Sequence, residues 1–382
     1  MDEKESLDQT LESERAFASV AIVGLGLIGG SLAAALRRGG YRGRILGVSR
    51  PATIEEALAR GLVDAGHPYE DLERATSEAE LVVLATPISE IIASLRRLGA
   101  RPGALRAGAI VSDVGSTKRA VVRAAVESLP AGVHFVGGHP LAGSEQRGLR
   151  AADPLLFENA YYVLTPAPGV PPEETGRLAG LIRLAGARAV VLSAEAHDRI
   201  AAAISHLPQV LAVSLVEFLD ELGPEKEIAV RLAAGGFRDM TRIASSPYSV
   251  WRDILATNED CVVELAGRFA ERVRKAAGKI AGGSIERSFE RAADTRAQIP
   301  RDTKGFLHAL WDVLVVVEDR PGAIAAIASP LAERGINIAD IEVVKVREGE
   351  AGTIRLGFGS ELDAREAVRV LSAAGHQARL RE

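Results

Sequence analysis

The sequence predicts an α/β chain: a doubly wound, mostly parallel sheet, then an all-α region, then a small βαββαβ module. Three observations predict it. Short apolar runs alternate with helical segments from Ser19 to about Pro166, the pattern of a parallel sheet covered on both faces. Residues 194–290 keep helical periodicity and show no clear strand. Residues 311–382 return to strand–helix rhythm in the order βαββαβ, a ferredoxin-like arrangement.

In chain order, the first sheet is expected from the runs Val20–Val23, Ile45–Val48, Leu81–Ala85, Ala109–Ser112, His134–Val136 and Tyr161–Leu164. Between them lie helical segments such as Ser31–Arg38 and Ile54–Arg60. Thr165–Pro172 holds four prolines and is expected to be a hinge or crossover. One more helix and strand follow, ending at Ala189–Leu192. In the helical region Gly235-Gly236 is expected to stop a helix. Residues 291–310 are charged and irregular and read as a linker. In the last module the strands are Trp311–Val317, Ile336–Val346, Thr353–Phe358 and Gln377–Leu380; the helices are Pro321–Arg334, with Pro at its start, and Leu362–Ala374. The domains expected are an acidic disordered arm at 1–16, a dinucleotide-binding domain at 17–192, a helical substrate and dimerisation domain at 193–290, the linker, and a terminal module at 311–382.

Composition bounds the function. A length of 382 residues calls for two or three domains. With 47% apolar and 25% charged residues, wholesale disorder is excluded. The net charge of −5 excludes a general pull toward nucleic acid or an anionic membrane, though not a local basic pocket. The one cysteine, Cys261, excludes an internal disulfide and a cysteine-built metal site, and fits a reducing cytoplasm. The acid-rich N-terminus has neither the basic start of a signal peptide nor the acid-poor composition of a transit peptide. No apolar run of about 20 residues stands out, so no membrane span is expected.

The first chemical motif is VAIVGLGLIGGS at Val20–Ser31. Gly24 permits the tight turn, Gly26 lets a pyrophosphate approach the backbone, and Gly29 allows close helix–strand packing. The helix N-terminus offers free N–H groups and the positive end of its dipole to phosphates. Leu27 and Ile28 in this turn, and Thr86 after the Leu81–Ala85 run, are assigned to the same cofactor. Roughly 20 residues on, where an NAD-selective site carries an acid, stand Ser49 and Arg50. A hydroxyl and a guanidinium suit a 2′-phosphate, so NADP is favoured over NAD. The alternative is that Arg50 stacks on adenine and NAD binds too.

Three more motifs bear on the substrate. DVGSTK at Asp113–Lys118 follows a strand run, where loops line the ligand crevice; Ser116 either bonds substrate or caps a helix. HPLAGSE at His139–Glu145 places His139 at a strand's carboxyl end, suited to taking a proton from a substrate hydroxyl. Glu145 binds substrate or caps a turn. The helical region carries His197-Asp198, SHLPQ at Ser205–Gln209 and FRDMTR at Phe237–Arg242. Nine residues apart, at about 100° each, His197 and His206 are expected on opposite sides of one helix, against a shared metal. His206 and Gln209 share a face. Arg242 and Arg238 follow the glycine pair and are candidates for a substrate carboxylate, against a surface ion pair with Asp239. Trp251 walls the pocket or packs.

Together these motifs, in this order, resemble the prephenate/arogenate dehydrogenase family over roughly residues 17–290. Residues 311–382 resemble an ACT regulatory domain, chiefly through Asp319–Gly322 and Gly335–Ile338. The resemblance implies a Rossmann domain, a helical dimerisation domain and a homodimer. It implies NAD(P)-dependent oxidative decarboxylation of prephenate to 4-hydroxyphenylpyruvate, in tyrosine biosynthesis. It implies that His139 accepts the ring hydroxyl's proton, Ser116 orients that hydroxyl, and Arg242 grips the ring carboxylate. His206 and Arg238 would shape the pocket, and Glu145 would position substrate or gate it. One position departs from the family pattern: Gln209 stands where a second histidine often does, and cannot titrate. Asp319, Gly322, Asn337 and Ile338 would bind tyrosine or another amino acid as effector. Arogenate is the rival substrate. The other classes weighed are a hydroxyacid or imine-reducing dehydrogenase and a catalytically dead amino-acid sensor. No metal is expected.

Overall fold

The computed structural model describes residues 17–143, 146–299, 310–318, 320–345 and 352–381. The acidic arm at 1–16, Glu145 and Asp319 lie outside the described residues. The chain divides into two compact units, Met1–Ala277 and Gly278–Glu382.

The first unit is built on an eight-stranded sheet. Its strands are β1 Ser19–Val23, β2 Arg44–Val48, β3 Ala65–His67, β4 Leu81–Leu84, β5 Ile110–Asp113, β6 His134–Pro140, β7 Tyr161–Pro166 and β8 Arg188–Val191. Their spatial order is 3-2-1-4-5-6-7-8. Strands β1 to β6 pair in parallel, β7 runs antiparallel to β6, and β8 runs parallel to β7. This is a Rossmann-like sheet, and the order reverses between β1 and β4, where such sheets bind their ligands. Strand β3 is missing from the sequence reading. Three residues with Gly66 in the middle make no apolar run, and only the ladder Leu46–Val48 against Ala65–His67 defines it.

Both faces are covered. Leu32 and Leu36 of helix Leu27–Arg38 and Leu178 and Ile182 of helix Pro172–Leu184 pack one face. Ile91 and Leu95 of helix Ile88–Ala100 and Val121 and Ala125 of helix Arg119–Ser128 pack the other. The core is mostly aliphatic, as the scarcity of aromatics requires, with Phe17, Phe135 and Phe157 among its few rings. The proline-rich stretch at 165–172 is a short crossover: it finishes β7 and starts the next helix with Pro172 at its first turn.

The helical region begins at Ala194. Ser193 caps it, its hydroxyl accepting from the Ala196 N–H at 3.1 Å. The run passes through a π-helical turn, Ala202–His206, into helix Leu207–Glu217. Gly223, at φ +55°, breaks it before Lys226–Leu232. The glycine pair does not stop a helix as expected. The break falls at Ala233-Ala234, and Gly235-Gly236 open the next helix, Gly235–Thr241. Helices Tyr248–Thr257 and Glu259–Ala281 follow. The expectation of no long apolar stretch is also corrected. By length and composition alone, Ala194–Leu232 is long and apolar enough to cross a membrane, a test that core helices of globular proteins also pass. Ile204, Phe218, Ile228 and Leu232 are among its exposed apolar side chains.

The second unit holds helix Glu286–Gln298, which runs into the stretch read as linker. It also holds a four-stranded antiparallel sheet in the order β10-β11-β9-β12, formed by β9 Trp311–Val317, β10 Asp340–Lys345, β11 Gly352–Phe358 and β12 Gln377–Leu380. Helices Ala323–Glu333 and Glu361–Ala373 cover one face. This is the ACT arrangement. Two boundaries move: the first helix starts at Ala323, after Gly322 in left-handed backbone at φ +88°, and β10 starts at Asp340 rather than Ile336. Ile336 is buried, so its apolar character serves the core and not a strand.

Candidate functional site

The glycine turn expected to cradle a dinucleotide lies at the β1 carboxyl end. Gly24 has φ +98°, and a Cβ there would lie 2.6 Å from the Ala85 carbonyl oxygen. A Cβ on Gly29 would lie 2.0 Å from the Gly24 carbonyl oxygen. Both glycines are therefore needed by the fold itself. Gly26 differs, because its Cβ direction is empty to 4 Å. It precedes helix Leu27–Arg38, which has no side-chain cap and no acid in its first turn. Gly26, Leu27 and Ile28 are half-exposed around this space. Beside Gly24, Thr86 Oγ1 is buried without a hydrogen-bond partner. Open backbone, free N–H groups and an orphaned hydroxyl together fit a pyrophosphate. Ser49 is buried and Arg50 exposed at the end of β2, with no acid between β2 and the next helix.

The second part of the site collects around His139 near the carboxyl end of β6. Asp113, ending β5, and Lys118 are both fully buried and form an ion pair. Lys118 Nζ also donates to the Gly138 carbonyl at 2.7 Å, and Asp113 accepts from the N–H groups of Gly115 and Gly138 at 2.7 and 3.1 Å. This pair joins the β5 loop to β6 and sets where His139 leaves the sheet. Ser116, half-exposed in the same loop, does not cap helix Arg119–Ser128. Asp198 caps it from another element, accepting from the Lys118 and Arg119 N–H groups at 2.7 and 2.9 Å.

His139 Nδ1 lies 2.8 Å from His197 Nε2, and His197 Nδ1 lies 2.8 Å from Asp198 Oδ1. Asn258 is fully buried and donates to the Asp198 carbonyl at 2.8 Å; its Nδ2 also stands 3.3 Å from His206 Nδ1. The rings of His206 and Trp251 meet edge-on at 6.0 Å. The helical-wheel expectation that His197 and His206 face apart is thus corrected. The wide π turn at 202–206 spends an extra residue, so His206 returns to the side of His197. No group of three or more His, Cys, Asp or Glu side chains able to hold a metal occurs among the described residues.

Burial pushes the His139 imidazole well below its ordinary range, helped by His197, Lys118 and His206. His206 is lowered to about 4, also by burial, against the opposing pull of Asp198. Burial raises Asp198, but hydrogen bonds from His197 and the Arg119 and Lys118 backbone outweigh it and hold the carboxyl below its usual value. His139 and His206 are therefore neutral, and the Asp198 carboxylate is ionised.

Gln209 is buried with Oε1 unpartnered, and Trp251 Nε1 is likewise buried and unpartnered. Arg238 and Arg242 are exposed on short helical turns and do not join the buried histidine cluster. Arg119 ties the sheet end to the helical region through Asp198, Asn258 and Asp260. Cys261 accepts only a long contact from the same guanidinium. The sequence reading singled out His197-Asp198 but assigned it no role, and missed Asn258 and the Asp113–Lys118 pair. No local pattern signals them, because each acts through a partner at least 58 residues away or by complete burial.

In the second unit, a cavity of about 270 Å³ is lined by Val317, Glu318, Arg320, Gly322, Val343 and Thr353 among others. Gly322 lines it. Asn337 and Ile338 do not; Asn337 is exposed before β10.

Comparison with known proteins bears on this geometry. Residues 32–191 match the nucleotide-binding domain of prephenate dehydrogenase, 193–292 its dimerization domain, and 311–371 the ACT domain. Prephenate dehydrogenase of Bacillus subtilis (strain 168) is 36% identical over 361 residues, covering 93% of this chain and 96% of that one. The crystal structure of Synechocystis arogenate dehydrogenase is 31% identical with a TM-score of 0.66, covering 73% of this chain and 98% of that one. Prephenate dehydrogenase from A. aeolicus, in complex with hydroxyphenyl propionate and NAD+, is 30% identical with a TM-score of 0.65, covering 73% and 96%.

Proposed function

The chain belongs to the prephenate dehydrogenase family, and from that premise we propose that it oxidatively decarboxylates prephenate to 4-hydroxyphenylpyruvate with a nicotinamide cofactor. One observation carries the reading: a neutral histidine, His139, stands near the carboxyl end of a strand of the sheet that also builds the dinucleotide cradle. Gly24, Gly26, Leu27, Ile28, Gly29 and Thr86 would hold the cofactor, which supplies the hydride acceptor when bound. His139 takes the proton of the ring hydroxyl. Ser116, free of any capping duty, orients that hydroxyl. Arg242 grips the ring carboxylate until it leaves as CO2 and the ring becomes aromatic. His206, Arg238, Gln209 and Trp251 shape the pocket, and Glu145 positions or gates the substrate. Orphaned polar atoms on Gln209 and Trp251 support a polar substrate tail there.

Ser49 and Arg50 support NADP over NAD, because nothing at the end of β2 repels a 2′-phosphate. Exposed apolar side chains on the helical region support a homodimer. The second-unit cavity supports tyrosine or another amino acid as effector. A biosynthetic dehydrogenase with one free thiol fits the cytoplasm. Arogenate is the second reading, favoured by the likeness to the Synechocystis enzyme. The test follows NADH and NADPH formation with each substrate, with and without tyrosine. Prephenate turnover that His139→Asn abolishes is expected; turnover undiminished in that variant would overturn the assignment of the base.

A further inference from the structure

We infer that His197 and Asp198 are positioning residues that hold His139 in a single tautomer and take over the positive charge it acquires. The inference rests on His139 being the base, as read above. It follows from bookkeeping of donors along one chain of bonds. Asp198 is ionised and fully buried, and it already accepts from the Lys118 and Arg119 backbone. Its Oδ1 stands 2.8 Å from His197 Nδ1, so that nitrogen must carry a proton. A neutral His197 then has only a lone pair on Nε2. That lone pair faces His139 Nδ1 at 2.8 Å, so His139 Nδ1 must donate. The lone pair left on His139 is on Nε2, the nitrogen that can accept a substrate proton.

The same chain answers a problem of charge. Among the described residues no carboxylate is in direct contact with His139, and its surroundings oppose an imidazolium. Lys118 and Asp113 come from the β5 loop, with Lys118 nearer in its effect; His206 comes from the π turn, and Arg119 backs Asp198. From β7, the Tyr162 phenol is buried and held above its ordinary value, so it stays neutral. As the substrate O–H bond breaks, Nε2 gains that proton and the Nδ1 proton moves to His197 Nε2. His139 ends neutral, and His197 becomes an imidazolium against the Asp198 carboxylate. Proton and charge balance, and the cation rests beside the only carboxylate in contact with either ring among the described residues.

The test has two independent arms. In the first, the full-length protein is labelled with 15N-histidine and its seven histidines are assigned through His139→Asn and His197→Asn. The inference requires Nδ1–H tautomers for both His139 and His197 near pH 7.5; an Nε2–H tautomer for His139 overturns it. This arm stands even if prephenate is not the substrate. In the second, Asp198→Asn and His197→Asn are expected to lower kcat at least tenfold, with KM within about twofold. Asp198→Asn is also expected to shift the acid limb of kcat/KM about one unit lower, a limb that belongs to the histidine pair. Wild-type kcat with an unmoved limb in folded variants overturns the inference. If a variant does not fold, the wild-type tautomer decides. Wild-type protein that turns over neither substrate would refute the proposed function while leaving the tautomer arm intact.

Discussion

Three glycines share one loop, yet the structure gives them different work, and alanine substitution separates it. At Gly29 a Cβ would overlap the Gly24 carbonyl oxygen at 2.0 Å and touch Ala85 and Ile22 at 3.1 Å. Backbone cannot swing aside as a side chain can. Overpacking of this kind costs about 2–3 kcal/mol, and at 2–4 °C per kcal/mol for a unit this large, Gly29→Ala should lower the melting temperature by roughly 5–10 °C. At Gly26 the Cβ meets nothing within 4 Å, and φ −86° suits any residue. Alanine is a poorer helix N-cap than glycine by about 1 kcal/mol or less, so Gly26→Ala should lower the melting temperature by at most about 2–4 °C, short of the Gly29→Ala loss. Its methyl group would instead occupy the space through which a pyrophosphate reaches the helix N-terminus. The clash then costs binding rather than folding, about 1.4 kcal/mol or more, which raises the cofactor KM at least tenfold. Thermal melts without cofactor and cofactor KM at saturating prephenate measure both quantities. An unchanged KM in Gly26→Ala, or a melting loss equal to that of Gly29→Ala, would refute the separation of cofactor space from packing space.

Acid should weaken the protein through His206. Its folded pKa of about 4 lies below the free value of 6.5, so between them the unfolded chain binds more protons. This contribution is intact above pH 6.5 and is lost as pH falls toward 4, by up to about 3 kcal/mol; melts across that range should show it, and His206→Gln should flatten the slope. Lys118→Met should strand the Asp113 carboxylate and cost about 3–5 kcal/mol, with Asp113→Asn/Lys118→Met recovering part of it in the same melts. Arg50→Asp should lower kcat/KM for NADP at least tenfold while sparing NAD; equal losses with both cofactors would count against a 2′-phosphate contact.

The dinucleotide half of the site was legible because its chemistry is local. Turn, approach and packing glycines fall within six residues, and a strand run and a helical run flank them. His139 was legible for a similar reason, standing at a strand end in a glycine-rich loop. The histidine cluster was not. A helical wheel separates His197 from His206 because it assumes regular turns, and the π turn at 202–206 leaves no mark in composition. The Gly235-Gly236 pair misled in the opposite way. Glycine permits a helix stop without requiring one, and Ala233-Ala234 made the break instead.

Periodicity and motif order in the sequence determined the layered α/β architecture, the helical region, the terminal ACT arrangement and the glycine turn after β1. Each of these depends on contacts repeated every two or three to four residues, or on a single turn. Only the tertiary structure decided what surrounds His139. Asp198 caps a helix 79 residues upstream in sequence while it bonds His197, which meets His139 across 58 residues. The state of that imidazole depends on burial and on which donor faces which acceptor. Those are properties of the folded interior, where distant segments meet without water, and no stretch of chain carries them alone.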